Sequence, residues 1–200
     1  MRRLALLLAV LPALMLGCSV GAEDVIPVES VPQLVLQPDD LGNDFRLFDE
    51  GRLSNADTPS GARADRDRFG RLEGWKSRYR RPGSAATAGP LVVESRVDLF
   101  ASSDGAGKDL RAHRGELERA AVGAAATVLE DAPVVGEESV AVTTLQELEP
   151  VSVRYFTIAW RERNTTASVL VQGFEGKLKL EDALTLARKQ QARLEGADGT

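Results

Sequence analysis

Apolar and polar positions alternate most clearly in "PLVVESRVDLF". Leu91, Val93, Ser95, Val97 and Leu99 share one side of an extended chain, and Glu94, Arg96 and Asp98 share the other. A period of two marks a strand with one buried face. "GWKSRYRRPG" alternates in the same way. Trp75, Ser77 and Tyr79 point inward, Lys76, Arg78 and Arg80 outward, and Pro82 and Gly83 end the strand. Upstream, "LGNDFRLFDEG" predicts a turn and a short strand, with Phe45, Leu47 and Phe48 supplying apolar contacts.

The period then changes. Leu110, His113, Leu117 and Ala121 recur at helical spacing behind Asp104, a residue suited to an N-cap. "ATVLEDA" and "ESVAVTTLQ" predict two further strands, joined through Pro133 and Gly136. "VSVRYFTIAWRERNTTASVLVQGF" predicts two long strands around a turn at Arg163-Asn164, with Asn164 suited to a left-handed backbone. In the first of these, Val153, Tyr155, Thr157 and Ala159 lie on one face and Phe156, Ile158 and Trp160 on the other. Apolar residues on both faces predict central strands covered on both sides. "KLEDALTLARKQQARLEG" closes the chain as a helix whose stripe is Leu180, Leu184, Ala187, Gln191 and Leu194. Its acids come early and its bases late, which suits the helix dipole, and Gly196 suits a C-terminal stop.

Strands, a helix, a run of antiparallel strands and a closing helix predict an α+β fold, an antiparallel sheet covered by helices. The pattern divides the chain into three parts: a signal segment over 1–17, a tether over 18–33 punctuated by Pro27 and Pro32, and one domain over 34–196. The polar, turn-rich run from Arg52 to Arg68 is expected to be a mobile surface loop. A flexible tether of that length spans roughly 20 Å on average.

The first eighteen residues, "MRRLALLLAVLPALMLGC", place Arg2 and Arg3 before an apolar run from Leu4 to Leu16. That is the layout of a secretory signal, and it is shorter than the roughly 20 apolar residues of a membrane span. Gly17 is followed at once by Cys18, the one cysteine of the chain, which therefore has no intrachain disulfide partner. The segment resembles the bacterial lipoprotein signal, or lipobox. The resemblance implies cleavage between Gly17 and Cys18, a diacylglyceryl thioether on Cys18 and often a third acyl chain on the new amine. It also implies a lipid-anchored protein at the cell membrane or outer membrane, with its domain on the extracytoplasmic side.

Residues 90–195 resemble PsbP-like α/β/α sandwich domains of envelope lipoproteins and extracellular sensors. The resemblance is carried by "SRVDLF" and a helix, then "VVGEESVAV", the two long strands with "VLVQGF", and "LEDALTLARKQQARL". It implies a docking or accessory module or a ligand sensor, and it brings no catalytic residue. Sensors of this type often carry disulfides, which this chain cannot supply.

Charge adds one feature. The chain is acidic overall, with 30 Asp and Glu against 25 Lys and Arg. Yet Arg63 to Arg81 is locally basic. It could meet anionic lipid, hold a polyanionic wall polymer, or pair with neighbouring acids on a solvated strand. Trp75, Lys76, Arg78, Tyr79 and Arg80 are the candidate binding surface, facing an envelope protein or anionic polymer.

Other chemistry is poorly supplied. His113 is the single histidine and falls on a helix packing face, which leaves no base for a serine nucleophile and too few ligands for a transition metal. "QPDDLGND" lacks the alternation and closing Glu of an EF-hand. "GAGK" lacks the spacing of a phosphate loop. The expectation is a non-catalytic envelope module without metal, cofactor or nucleic acid. A small-ligand sensor is the alternative, and a carboxylate hydrolase the more remote one.

Overall fold

The computed structural model describes residues 25–53, 68–123 and 126–197. Seven strands form one antiparallel sheet: β1 (Arg46–Arg52), β2 (Arg71–Arg80), β3 (Val92–Phe100), β4 (Ala126–Val128), β5 (Glu138–Leu148), β6 (Val151–Glu162) and β7 (Thr165–Phe174). Their order across the sheet is β1-β2-β3-β7-β6-β5-β4. Helix α1 (Ser103–Gly123) follows β3, and α2 (Leu180–Glu195) follows β7. This is the expected α+β fold.

The larger core lies between the sheet and α2. Val93, Val97, Ile158, Trp160, Val169 and Val171 meet Ala183, Leu184, Ala187 and Leu194 there. Trp160 is fully buried, and its indole Nε1 donates to Gln191 Oε1 at 2.7 Å. Gln190 is also fully buried: its Oε1 accepts from Ser95 Oγ at 2.8 Å and its Nε2 donates to the Arg96 carbonyl at 3.0 Å. These bonds satisfy the polar groups on α2 that its apolar stripe carries into the core. On the opposite face, α1 covers a smaller cluster of Leu110, Val140, Val142 and Ala159. Strands β6 and β7 are thus covered on both sides, as their doubly apolar pattern predicts. The helix begins one residue before Asp104, and the Ser102 hydroxyl caps it by accepting the Gly105 N–H at 3.2 Å.

Three expectations are corrected. Residues 25–33 belong to the domain, not to a tether. The 3₁₀ helix Val28–Gln33 packs on β2 and β3, and Ile26, Val31, Leu34, Val35 and Leu36 are buried in the larger core. Burying several apolar side chains at about 1.5–3 kcal/mol each outweighs the freedom that a tether would keep. Second, Leu47 and Phe48 on β1 are exposed, at 44% and 42%. On this edge strand Leu47 pairs with Tyr79 and Phe48 is the extra residue of a bulge between Leu47 and Asp49, with the guanidinium groups of Arg78 and Arg80 over its ring, 5.4 and 5.3 Å from the centre. Third, Arg163, not Asn164, takes the left-handed backbone at the β6–β7 turn, with φ of 48°. Of the expected mobile loop, residues 54–67 lie outside the described residues, as do Gly17 and Cys18.

Asn164 has a different task. It is 2% exposed, and its side chain ties three segments together. Its Oδ1 accepts the Ile26 N–H at 2.8 Å, and its Nδ2 donates to the Phe100 carbonyl at 2.8 Å. Asn164→Ala is expected to cost about 2–4 kcal/mol, because it leaves buried backbone groups unpaired. Chemical denaturation with an unchanged m-value would check this.

Candidate functional site

The five residues expected to form one binding surface fall on two faces of β2. A strand sends successive side chains to opposite sides, so Trp75 and Tyr79 cannot share a surface with Lys76, Arg78 and Arg80.

Tyr79 is 2% exposed beneath the N-terminal segment, and its hydroxyl donates to the Leu36 carbonyl at 2.9 Å. The Ser77 hydroxyl donates to the same carbonyl at 2.9 Å. Tyr79 is therefore a packing residue. Burial raises its phenol above the usual value of 10.0, while the hydrogen bond with Ser77 acts in the opposite direction. A raised folded value means that this stabilisation is complete below the unfolded pKa of 10.0 and is lost as pH rises through the folded pKa. Alkaline titration of tyrosinate absorbance is expected to show a late phase that Tyr79→Phe abolishes and that coincides with unfolding.

Trp75 is half-buried in a groove of about 310 Å³ between the N-terminal 3₁₀ helix and the ends of β1 and β2. Val28 and Pro32 form the apolar wall, and Arg52, Glu29 and Glu73 supply charge. The Glu73 carboxylate takes Arg52 Nη1 at 3.2 Å and the Gly74 N–H at 3.2 Å. Glu73 has little exposure, whereas the Arg52 side chain is 75% exposed. The groove thus joins one aromatic face to fixed polar groups, within the size range of small-molecule pockets. Two acids line it, the minimum for carboxylate chemistry, but Glu73 already holds an arginine. Val28, Arg52 and Glu73 are not among the candidate binding residues that the sequence offers, and Arg52 closes β1 instead of opening a mobile loop. Their positions lie far apart in the chain, and only the fold brings them together around Trp75.

The other face of β2 is basic and partly neutralised. Asp49 Oδ2 lies 3.0 Å from Lys76 Nζ and 3.5 Å from Arg78 Nη1, and Glu94 Oε2 lies 2.9 Å from Arg78 Nε. Arg80 is exposed and stacks on Phe48. Further along, Asp98 sits between Arg71 and Arg96, at 2.5 and 3.0 Å. Arg81 reaches Asp44 at 2.9 Å, and the guanidinium holds that carboxyl below its ordinary range. Much of the local excess of base is therefore committed within the fold.

The remaining motifs have structural occupations. Asp40 caps Gln37 N–H and accepts Arg193 Nε, both at 2.7 Å. Among the described residues no group of three or more His, Cys, Asp or Glu could hold a metal. "GAGK" lies within the first turns of α1, and His113 is half-exposed on the same helix. Glu137 of "GEES" pairs with Arg161 Nη2 at 2.5 Å.

Together, sheet, helices and groove define an α+β domain with no helix, among the described residues, long and apolar enough to cross a membrane. No family model and no curated protein matches the chain. Among solved structures, the extracellular domain of PknH from Mycobacterium tuberculosis shares the fold. The TM-score is 0.61 at 11% identity, over 88% of this chain and 100% of that one. At that identity the likeness is one of fold.

Proposed function

We propose that the chain is an extracytoplasmic, lipid-anchored domain that binds a small ligand in the Trp75 groove and catalyses no reaction. The observation that carries this reading is a fold shared with an extracellular domain over that domain's whole length, on a chain whose first eighteen residues resemble an export and lipidation signal. The groove supports the sensor-like form of the reading over docking alone. It offers a partly accessible indole beside an arginine–carboxylate pair, a combination that can stack on a planar or ring-bearing ligand and fix its orientation by hydrogen bonds.

The two tryptophans make a direct test. Trp160 is fully buried and Trp75 is not, so a fluorescence change on ligand addition reports on Trp75. A screen of amino acids, sugars, nucleosides and lipid headgroup phosphates is expected to find a compound that alters this emission. At a hundredfold excess over Kd, binding stabilises by about 2.7 kcal/mol. A chain of this size then gains roughly 5–10 °C in Tm. Trp75→Ala should abolish both signals. A crosslinked envelope partner with no melting shift from any compound would favour docking, the function that the PsbP-like resemblance implies.

A further inference from the structure

We infer that the end of the sheet carrying the β6–β7 turn is the membrane-facing pole of the domain, and that Val25, Val28, Leu72 and Val134 contact the lipid headgroup layer of the bilayer. This rests on the proposed acylation of Cys18.

The first argument is where the chain enters the fold. Ile26 is buried, and its backbone N–H is held by Asn164 in the β6–β7 turn. Six residues separate Cys18 from Val25, a length that reaches at most about 25 Å when fully extended. The nine residues of β3 cover about 30 Å of sheet between the two poles. The anchor can thus lie close beneath the β6–β7 turn. The β5–β6 turn and the β2–β3 connection lie a strand's length farther from it.

The second argument is what the near pole exposes. Leu72 opens β2 beside Arg71, whose strand partner is Phe100, and Phe100 in turn donates its N–H to Asn164. Val134 precedes Gly136, over which the Arg161 carbonyl and Trp160 close, and the Glu137 N–H donates to that carbonyl. Val25 and Val28 flank the entry point. All four side chains are open, from 41% for Val28 to 70% for Val134. A ring of single apolar side chains around the entry of a lipid-anchored chain is suited to the boundary between headgroups and acyl chains. The Trp75 groove, which Val28 lines, includes Arg52 at the end of β1 and Glu73 near the start of β2, so in this orientation its ligand would be met near the bilayer surface.

The test uses the full acylated protein purified from membranes, where Cys18 carries lipid and does not compete for label. Leu72→Cys and Val134→Cys report on the near pole, and Leu148→Cys and Ala86→Cys on the far one. Each is labelled with an environment-sensitive fluorophore and reconstituted in phosphatidylglycerol–phosphatidylethanolamine vesicles containing a headgroup-quenching lipid. Quenching several-fold stronger at 72 and 134 than at 86 and 148 is expected. Equal quenching at both poles, in protein that floats with the vesicles, overturns the orientation and leaves the anchor standing. Protein that does not float and has the mass of a bare thiol overturns the anchor, and the orientation with it.

Discussion

Asp98→Ala is expected to lower folding stability by about 3–5 kcal/mol, the penalty for breaking a buried ion pair from one side. Asp98 is 2% exposed on β3. Its two oxygens lie 2.5 Å from Arg71 Nη2 and 3.0 Å from Arg96 Nε, and the side chains of both arginines are about nine-tenths buried or more. Removing the carboxylate leaves two like charges in a region of low dielectric. Neither can escape by losing a proton, because an arginine stays charged in proteins. Asp98→Asn keeps the shape but not the charge, and is expected to lose nearly as much. Gly74, on the neighbouring strand, is part of the same arrangement: a Cβ there would lie 2.6 Å from Asp98 Oδ1 and closer still to Arg71 Nη2, so Gly74→Ala should also destabilise. The instructive control replaces all three charged residues together, with Arg71→Met, Arg96→Met and Asp98→Leu. Buried ionic clusters exchanged whole for apolar side chains are often neutral or more stable, so this variant should recover most of the loss. Urea unfolding followed by circular dichroism measures all four. A cost below about 1 kcal/mol for Asp98→Ala, at unchanged m, would mean that water reaches the cluster and screens it.

That cluster also shows where sequence reading stops. Alternation along residues 91–99 assigns the two faces correctly: Val93, Val97 and Leu99 enter the larger core, and Arg96 and Asp98 point the other way. It does not reveal that the second face is also closed. Near the start of α1, Asp109 Oδ2 takes the hydroxyl of Thr166, the residue that pairs with Asp98 across β3 and β7. What a charged residue on an outward face meets is decided by an element elsewhere in the chain, and a period of two carries no information about it.

The five residues expected to form one surface are divided between two faces for a local reason. The pattern itself separates Trp75 and Tyr79 from Lys76, Arg78 and Arg80, because successive side chains of a strand lie on opposite faces. The N-terminal segment failed differently. Pro27 and Pro32 interrupt any regular period, and a 3₁₀ helix of six residues is too short to display one. The apolar run Leu34, Val35 and Leu36 marks the start of the domain in the sequence, and only contact with β2 and β3 shows that Ile26 and Val31, both buried, belong to it as well. In the β6–β7 turn, residue type pointed to Asn164 for its backbone. Its value is a tertiary one: it reaches across more than sixty positions to Phe100 and further to Ile26.

Cys18→Ala is expected to have the largest effect on where the protein resides. If Cys18 carries two or three acyl chains, each buried methylene contributes about 0.8 kcal/mol to membrane retention. Four half-open apolar side chains at the near pole cannot replace that, and much of the basic charge on β2 is already paired within the fold. The variant should therefore accumulate as an uncleaved precursor held by its apolar signal, or leave the membrane as a processed, unacylated chain. Fractionation with a carbonate wash, followed by intact mass, separates these results. The wild type should stay with the washed membrane at the mass of a chain beginning at Cys18 plus its acyl groups. A processed Cys18→Ala chain that stays there too would sink the lipid anchor, and the orientation inferred from it. The Trp75 groove and its ligand test would be untouched, since they depend on residues 28–75 and not on how the domain is held.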